Sequence, residues 1–134
     1  MVPVWITFGA GSSPRMVLRM IDCVMVPVGD LDEAADFYAR VFGLRRLWQD
    51  ETAVGMGMPE TSSEIVLHTM DLLPVYYLVD DVDTAVATCH ERGCAVRTPP
   101  FDIPVGRCAV LEDPYGNGIG ILDLSKGRRQ GIRD

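Results

Sequence analysis

Lysine and histidine are scarce in this chain, and long apolar runs are missing from it. The sequence of 134 residues has 12 basic and 19 acidic side chains and two histidines, which gives a formal net charge of −7. Positions 16–124 hold seven arginines, no lysine and 18 acidic residues, so this part carries −11. A surface this acidic repels phosphate backbones and anionic lipids, and we therefore expect neither nucleic acid nor a membrane as a partner. No apolar run approaches the roughly 20 residues that a membrane span requires.

The cysteines also lack the spacings of familiar cysteine sites. They form no C-x-x-C pair and no zinc-finger pattern. Two interpretations are open: small buried thiols in a reducing, cytoplasmic protein, which we expect, and disulfides. The cysteines are Cys23, Cys89, Cys94 and Cys108.

The two ends of the chain differ in composition from the part between them. Residues 1–15 start with an apolar stretch, but no basic residue precedes it and Pro3 interrupts it, which is not typical of a secretory signal. We expect a flexible leader here, with Met16 and Met20 as alternative true starts. Residues 125–134 are short and basic, and we expect them to form a flexible tail. Residues 16–124 have the length and apolar content of one globular domain.

A repeat organises residues 16–124. The segment VGDLDEA at 28–34 recurs 51 positions later as VDDVDTA at 79–85. In each copy an apolar strand leads to an aspartate, Asp30 or Asp81, that can cap the helix that follows. Apolar side chains at helical spacing then run to a glycine, Gly43 or Gly93, which favours the left-handed conformation that ends a helix.

Three short strands follow the helix in each copy, so the sequence predicts a βαβββ module twice, over residues 16–70 and 71–124. We refer to these as the first and the second module. The predicted strands are 21–28, 44–49, 53–58 and 65–69 in the first module and 75–79, 95–97, 105–112 and 118–124 in the second. The segment DPYGN at 113–117 has the composition of a turn, which predicts that the last two strands form a hairpin.

Three segments carry a resemblance to a known superfamily. VGDLDEAADFYARVFGL at 28–44 resembles the first-helix signature of the vicinal oxygen chelate superfamily, which includes glyoxalases, bleomycin resistance proteins and extradiol dioxygenases. YYLVDDVDTAV at 76–86 and DPYGNGIGILDL at 113–124 are similar to its second-module signatures. The resemblance implies an α+β fold in which two βαβββ modules form a curved mixed sheet around a central cavity. It leaves the function open, because metal enzymes and metal-free binding proteins share this fold.

The resemblance also implies where a metal would be held, since members with metal chemistry use His, Glu or Gln side chains on the first and fourth strands of each module. These ligand positions fall on Cys23, Val66, Pro74 and Gly120. Only the cysteine among them has a donor atom. A register slip of two residues would bring Glu64 or His68 onto the same sheet face, because strand side chains alternate. Two ligands are still fewer than the three of a catalytic zinc-type site, so we expect neither metal nor cofactor.

Other chemistry has no better support in the sequence. There is no P-loop, no G-x-S-x-G and no H-E-x-x-H, and the two G-x-G segments lack a third glycine and a strand-to-helix setting. His90 lies beside the apolar stripe of the second helix, and we expect a structural role for it. For His68 three roles stay open: a structural histidine, a contact to a ligand, or a metal ligand.

If the ligand positions that the resemblance implies face inward, alternation of side chains along strands predicts which of their neighbours face the cavity and which residues face the helices. Tyr77 is expected on the helix side. Trp48 and Phe101 lie near strand ends, where they either close the mouth of a pocket or fill the core, and Arg107 either neutralises an anionic ligand or lies on the surface. The predicted cavity-lining residues are Cys23, Met25, Trp48, Glu64, Val66, His68, Tyr76, Phe101, Arg107, Gly120 and Leu122.

Two functional hypotheses follow, with a third behind them. The first is a metal-independent protein that captures a small cationic or aromatic organic molecule in the cavity between the modules, to which an acidic body attracts cations. The alternative is a metal-dependent lyase, isomerase or dioxygenase related to glyoxalases, with Zn, Ni, Fe or Mn bound by Cys23 and Glu64 or His68. The third is a degenerate module that only makes protein contacts. We also expect a homodimer, because an open sheet leaves the edges of the cavity uncovered.

Overall fold

The computed structural model describes residues 16–128 of the chain. The predicted leader, 1–15, and residues 129–134 of the predicted tail lie outside the described residues. In chain order the elements are β1 (Met20–Pro27), α1 (Leu31–Phe42), β2 (Arg45–Gln49), β3 (Ala53–Gly57), β4 (Glu64–His68), β5 (Val75–Leu78), α2 (Val82–Glu91), β6 (Ala95–Ile103), β7 (Gly106–Glu112) and β8 (Gly118–Leu122). The predicted βαβββ order is therefore present twice.

The strands form a single mixed sheet in which the two modules are related by an approximate twofold axis. The strand order is β2-β3-β4-β1-β5-β8-β7-β6, with β1 parallel to β4 and β5 parallel to β8. The modules join where β1 and β5 pair antiparallel, and Val24 lies opposite Val75. Because these valines are also 51 positions apart, the twofold axis of the repeat passes between them. The modules thus pair within one chain.

Local signals in the sequence set the ends of the helices. The carboxylate of Asp30 accepts the backbone N–H of Glu33 at 2.9 Å, and that of Asp81 accepts the N–H of Thr84 at 2.8 Å, so each aspartate is an N-cap. Gly43 has φ of 74° and ends α1 as predicted. The C-cap of α2 is Arg92, and Gly93 directly after it has φ of 113°, so the predicted glycine does supply the positive φ at the end of this helix.

One strand is much longer than predicted. β6 was expected to cover 95–97 but extends from Ala95 to Ile103, through two consecutive prolines. It is an edge strand, where a missing N–H does not interrupt a second ladder, and its pairing with β7 shifts register between Val96 and Thr98 and again between Thr98 and Phe101. The prolines interrupt the alternating sequence pattern, but the edge position tolerates them.

Burial divides the sheet into a helix-facing side and a cavity-facing side. On the helix side, one cluster packs around Leu67 under α1 and another around Ile121 under α2, and Tyr77 joins the second cluster as predicted. On the other side, a cluster from six strands includes Cys23, Val66 and further apolar residues. The four cysteines are free thiols in the structure. No helix in the described part of the chain is long and apolar enough to span a membrane.

Candidate functional site

A cavity of about 500 Å³ lies on the side of the sheet opposite the helices, and both modules contribute to its wall. Its surface is mostly apolar, with a few polar side chains from the first module and from the end of the chain. Eight of the eleven predicted cavity-lining residues lie in this wall. They are Cys23, Met25, Trp48, Glu64, Val66, Tyr76, Phe101 and Leu122.

The other three predicted residues lie outside the cavity wall, for different physical reasons. His68 is the buried last residue of β4, and its Nδ1 accepts the backbone N–H of Met70 at 3.1 Å. Arg107 precedes Cys108, a wall residue, so alternation directs its side chain to the opposite face. There its guanidinium pairs with Asp83 at 3.1 Å and with Asp102 at 3.3 Å.

Gly120 is separated from the cavity by an aromatic ring. Tyr76 and Gly120 pair across β5 and β8, and a Cβ atom at residue 120 would overlap the Tyr76 ring. Glycine is needed here because the ring lies flat on the backbone of β8. The side chain that the resemblance would place at this position is thus replaced by a tyrosine ring from the neighbouring strand.

A bulge in β1 brings a carboxylate into the wall that the alternating pattern does not predict. The pairing of β1 with β5 shifts register between Ile21 and Cys23, so Asp22 is the extra residue. Both Asp22 and Cys23 line the cavity, although neighbours in a regular strand point to opposite faces. Asp22 is only 7% exposed, and its Oδ1 accepts no hydrogen bond from the described residues.

Trp48 and Glu64 form the polar contact of the first module. The indole Nε1–H of Trp48 donates to Glu64 Oε1 at 2.7 Å, and the ring lies over Gly55, where a Cβ would overlap it. The pairing of β2 with β3 also shifts register beside this residue, between Arg46 and Trp48, so that Leu47 and Trp48 both line the cavity.

Arg128 extends from the end of the described chain to the same carboxylates. Its Nη2 lies 3.6 Å from Asp22 Oδ1, and its Nη1 lies 3.8 Å from Glu64 Oε2. These are ion pairs whose separations exceed hydrogen-bond length. The arginine side chain is 42% exposed, whereas the two carboxylate side chains are almost fully buried. Arg128, predicted as part of a flexible tail, therefore reaches the site.

Burial governs the protonation of the groups that line the cavity. Desolvation raises the pKa of Asp22, although Arg128 opposes this effect. The pKa of the Cys23 thiol is raised by burial and by the neighbouring carboxylates of Asp22 and Glu64. Burial likewise raises the pKa of Cys108 to about 11. Both thiols are therefore protonated at neutral pH and are weak nucleophiles.

The donor set does not fit a resident metal ion of the kind the resemblance implies. At three of the four ligand positions that the resemblance implies, Val66, Pro74 and Gly120, the side chain has no donor atom. At the fourth, Cys23 supplies a thiol, and its raised pKa disfavours the thiolate that binds metals. No three His, Cys, Asp or Glu side chains come together to hold an ion anywhere in 16–128. Glu64 instead accepts the indole N–H, and Asp22 faces Arg128.

The site includes residues that sequence reasoning missed. Asp22 was missed because regular alternation assigns it to the other face, and Arg128 because it follows the last strand. Ile103 lines the cavity at the end of β6, which continues past the two prolines, and Pro104 and Val105 line it from the connection to β7. Asp50 and Thr52 contribute from the β2–β3 turn, where Asp50 accepts the backbone N–H of Thr52 at 2.9 Å. An aspartate two residues before a threonine and next to a strand end is a turn signal that the sequence does contain.

Comparison with known proteins supports the superfamily resemblance. A family model described as Glyoxalase/Bleomycin resistance protein/Dioxygenase superfamily matches residues 20–121, which is most of the chain. Anthracycline biosynthesis protein DnrV of Streptomyces peucetius is 40% identical over 53 residues, or 40% of this chain and 19% of that protein. Putative glyoxylase CFP32 of Mycobacterium tuberculosis is 47% identical over 49 residues, or 36% of this chain and 19% of that protein. The matched segments span about a fifth of the length of these relatives.

Solved structures share the fold. A methylmalonyl-CoA epimerase from Mycobacterium tuberculosis aligns with a TM-score of 0.70 and 15% identity, over 81% of this chain and 90% of that chain. A Mn(II)-bound glyoxalase from Novosphingobium aromaticivorans aligns with a TM-score of 0.60 and 22% identity, over 87% of this chain and 43% of that chain. At such low identity the likeness concerns the fold alone. The predicted α+β fold and the predicted superfamily are both confirmed.

Proposed function

The chain belongs to the Glyoxalase/Bleomycin resistance protein/Dioxygenase superfamily, and on this premise we propose that it binds a small organic molecule in the cavity between its modules, without a resident metal ion. The cavity itself carries this proposal. Its volume of about 500 Å³ lies within the range of small-molecule sites, and a mostly apolar wall with a few convergent polar groups is typical of them.

The apolar part of the wall supplies the affinity in this proposal. Trp48, Tyr76 and Phe101 present aromatic surface from both modules, and Phe101 is 42% exposed with its ring at the cavity. Burying apolar surface stabilises a complex by roughly 25 cal/mol per Å², before the cost of immobilising the ligand is subtracted. An aromatic or aliphatic body of small size therefore suits the site.

The thiols in the wall support binding rather than covalent capture. Cys23 and Cys108 both have raised pKa values, so neither is poised as a thiolate nucleophile. The proposal consequently asks for no bond to form or break.

The experiment measures binding of small aromatic probes through tryptophan fluorescence and thermal unfolding. The sequence has two tryptophans, and a Trp5→Phe background leaves Trp48 as the sole one. Toluene and benzamide are expected to change its emission and to raise Tm with increasing probe concentration. Ala53→Phe, which places a ring inside the cavity, should abolish both effects, whereas Val96→Phe on the exposed edge strand β6 should leave them unchanged.

The outcome that contradicts the proposal is an unaltered Tm and emission with every probe in the unmodified cavity. If Ala53→Phe does not fold, as judged by circular dichroism, Val66→Phe is the second cavity-filling variant.

A second candidate function is an enzyme of this superfamily, because relatives and structural neighbours are named as a glyoxylase, a glyoxalase and an epimerase. It would be a metal-dependent lyase, isomerase or dioxygenase. Elemental analysis of protein dialysed after purification separates the two candidates: one equivalent of Zn, Ni, Fe or Mn per chain that survives dialysis would favour the enzyme, and a substoichiometric content favours metal-independent binding.

A homodimer and a cytoplasmic location remain predictions. β2 and β6 are the two edge strands of the sheet, and the cavity lies between the half of the sheet that ends at β2 and the half that ends at β6. A second copy that covers an edge would close the cavity further. Light scattering coupled to size-exclusion chromatography, at several protein concentrations, tests this prediction.

A further inference from the structure

We infer that the carboxylates of Asp22 and Glu64 form a subsite for a planar cationic group of the ligand, an amidinium or guanidinium, and that Arg128 occupies this subsite until the ligand displaces it. The inference rests on the proposed function, because it names the chemical class of the molecule that the cavity takes. It also gives Arg128, the last described residue, a role in binding.

The first observation is a buried acceptor that lacks a donor. The bulge in β1 turns Asp22 into the cavity wall, where its Oδ1 is inaccessible to solvent and accepts no hydrogen bond from the described residues. A buried acceptor left in this state is costly, and a partner bound in the cavity is one of the explanations that such groups have in native proteins. A donor that enters the cavity would remove this cost.

The second observation is the distance from the Arg128 guanidinium to the carboxylates of Asp22 and Glu64. Its guanidinium nitrogens lie 3.6 Å from Asp22 Oδ1 and 3.8 Å from Glu64 Oε2, which is close enough for charge attraction but too far for hydrogen bonds. The arginine side chain is also 42% exposed, so solvent weakens these pairs. Arg128 thus marks where a cation is attracted without making the hydrogen bonds that a better-fitting cation could make.

The third observation is the balance of charge in the wall. Asp22, Asp50 and Glu64 are acidic, and Arg128 is the only Lys or Arg among the described residues that line the cavity. A ligand that displaced Arg128 would need to bring a positive charge, because Asp22 would otherwise be a buried carboxylate that has lost the ion pair with Arg128. The aromatic wall beside them would hold an apolar body attached to that charge.

The test compares three probes of nearly equal shape: benzamidine, which is cationic near neutral pH, neutral benzamide and anionic benzoate. Each is titrated by calorimetry and by thermal shift into the wild type, Arg128→Ala and Asp22→Asn. Arg97→Ala removes an arginine that pairs with Glu112 outside the cavity, and it serves as the matched control.

Benzamidine is expected to bind the wild type more tightly than the other two probes. Arg128→Ala should strengthen benzamidine binding about fivefold. The variant removes a partly exposed guanidinium that competes with benzamidine for the carboxylates, and the effect is the size of about one such ion pair. Asp22→Asn should weaken it about tenfold, the effect of one lost charge-assisted contact. Benzamide binding should change less than about twofold in any variant, and Arg97→Ala should match the wild type with every probe.

Other outcomes overturn the inference. If benzoate binds best and Arg128→Ala abolishes its binding, Arg128 binds anionic ligands and does not occupy the site of a cationic one. If all three probes bind equally, the carboxylates form no subsite, but the proposed function survives. If no probe binds to any variant, the proposed function fails too. Should Asp22→Asn not fold, Glu64→Gln replaces it, since the amide oxygen can still accept the Trp48 N–H.

Discussion

In the first module the cavity wall carries three carboxylates, whereas the second module supplies apolar and aromatic side chains almost throughout. The difference is clearest at positions related by the twofold axis. Met25 pairs with Val66 across β1 and β4, and Tyr76 pairs with Gly120 across β5 and β8. The first module thus has two side chains of medium size at these positions, whereas the second module has one aromatic ring and a glycine.

The backbone features of the two modules, by contrast, are nearly the same. Each has an aspartate N-cap, a helix on the same side of the sheet, and a parallel pairing between its first and fourth strands. The comparison teaches that a few capping and apolar positions are enough to specify the module, while the side chains on the cavity face are free to differ. The chemistry of the site therefore depends on a few residues that the repeat does not share.

The largest expected effect concerns Asp123, a buried carboxylate directly after β8, where the first module has the exposed Thr69 after β4. Asp123 is 1% exposed and accepts the N–H groups of Val82, Arg107 and Ser125, with the Ser125 hydroxyl as a fourth donor. Asp123→Ala leaves buried donors without an acceptor and should lower the free energy of unfolding by roughly 3 to 4 kcal/mol. Urea unfolding measures the change.

The matched control for this variant is Thr69→Ala. Thr69 follows β4 as Asp123 follows β8, but Thr69 is exposed. Its replacement should cost less than about 0.5 kcal/mol. Similar losses for both variants would contradict the view that the second module depends on a carboxylate anchor that the first does not need.

The next prediction makes the second module resemble the first. Gly120→Val would push a side chain into the Tyr76 ring and should cost about 2 to 3 kcal/mol through overpacking. Adding Tyr76→Met, which copies the Met25–Val66 pair, should recover most of that loss. Gly29→Val is the control, because a Cβ at residue 29 meets no atom within 4 Å. Equal unfolding free energies for Gly120→Val with and without Tyr76→Met would contradict the view that the Tyr76 ring occupies the space of a side chain at residue 120.

The two modules should also respond in opposite ways to pH. Hydrogen bonds to Asp123 outweigh the effect of its burial and lower its pKa, so its stabilising contribution is present above the ordinary value of 3.8 and is lost as pH falls through the lowered pKa. Burial raises the pKa of Asp22, so ionising Asp22 destabilises the fold progressively as pH rises from 3.8 through the raised pKa.

Unfolding free energies measured across this pH range separate the two carboxylates. The advantage of the wild type over Asp123→Asn should shrink as pH falls below 3.8. Asp22→Asn should gain stability relative to the wild type as pH rises above 3.8. Parallel pH profiles for the two variants would contradict the view that hydrogen bonds outweigh burial at Asp123 while burial dominates at Asp22.

Sequence reasoning succeeded where a local interaction fixes the backbone. The bounds of α1 were predicted at both ends because Asp30 caps its first turn and Gly43 adopts positive φ after its last. The βαβββ order along the chain followed from the repeat, and the superfamily followed from the resemblance of three segments to its signatures. The extent of β6 was not predicted, since Pro99 and Pro100 are excluded from central strands and only the tertiary position at an edge permits them.

The cavity was predictable to the extent that its strands alternate regularly. The resemblance implied that Cys23 and Val66 face the cavity, and alternation from these positions then placed Met25 and Tyr76 in its wall. Asp22 was not, because a bulge depends on how β1 pairs with β5, and no single strand contains that information. Arg128 was missed for a related reason: the path of the chain after β8 is set by tertiary contacts rather than by a repeating pattern.

The smallest expected effect is one that the modules should share. Asp30→Ala and Asp81→Ala each remove one capping hydrogen bond and should each cost about 1 kcal/mol. The exposed Asp80→Ala, next to the second cap, should cost less than about 0.5 kcal/mol in urea unfolding. Asp123 accepts the N–H of Val82 whereas Asp81 accepts that of Thr84, so the two acceptors serve different donors of α2. Equal costs for the two caps would therefore mean that the extra anchor of the second module adds to its cap, and a negligible cost for Asp81→Ala would mean that Asp123 replaces it.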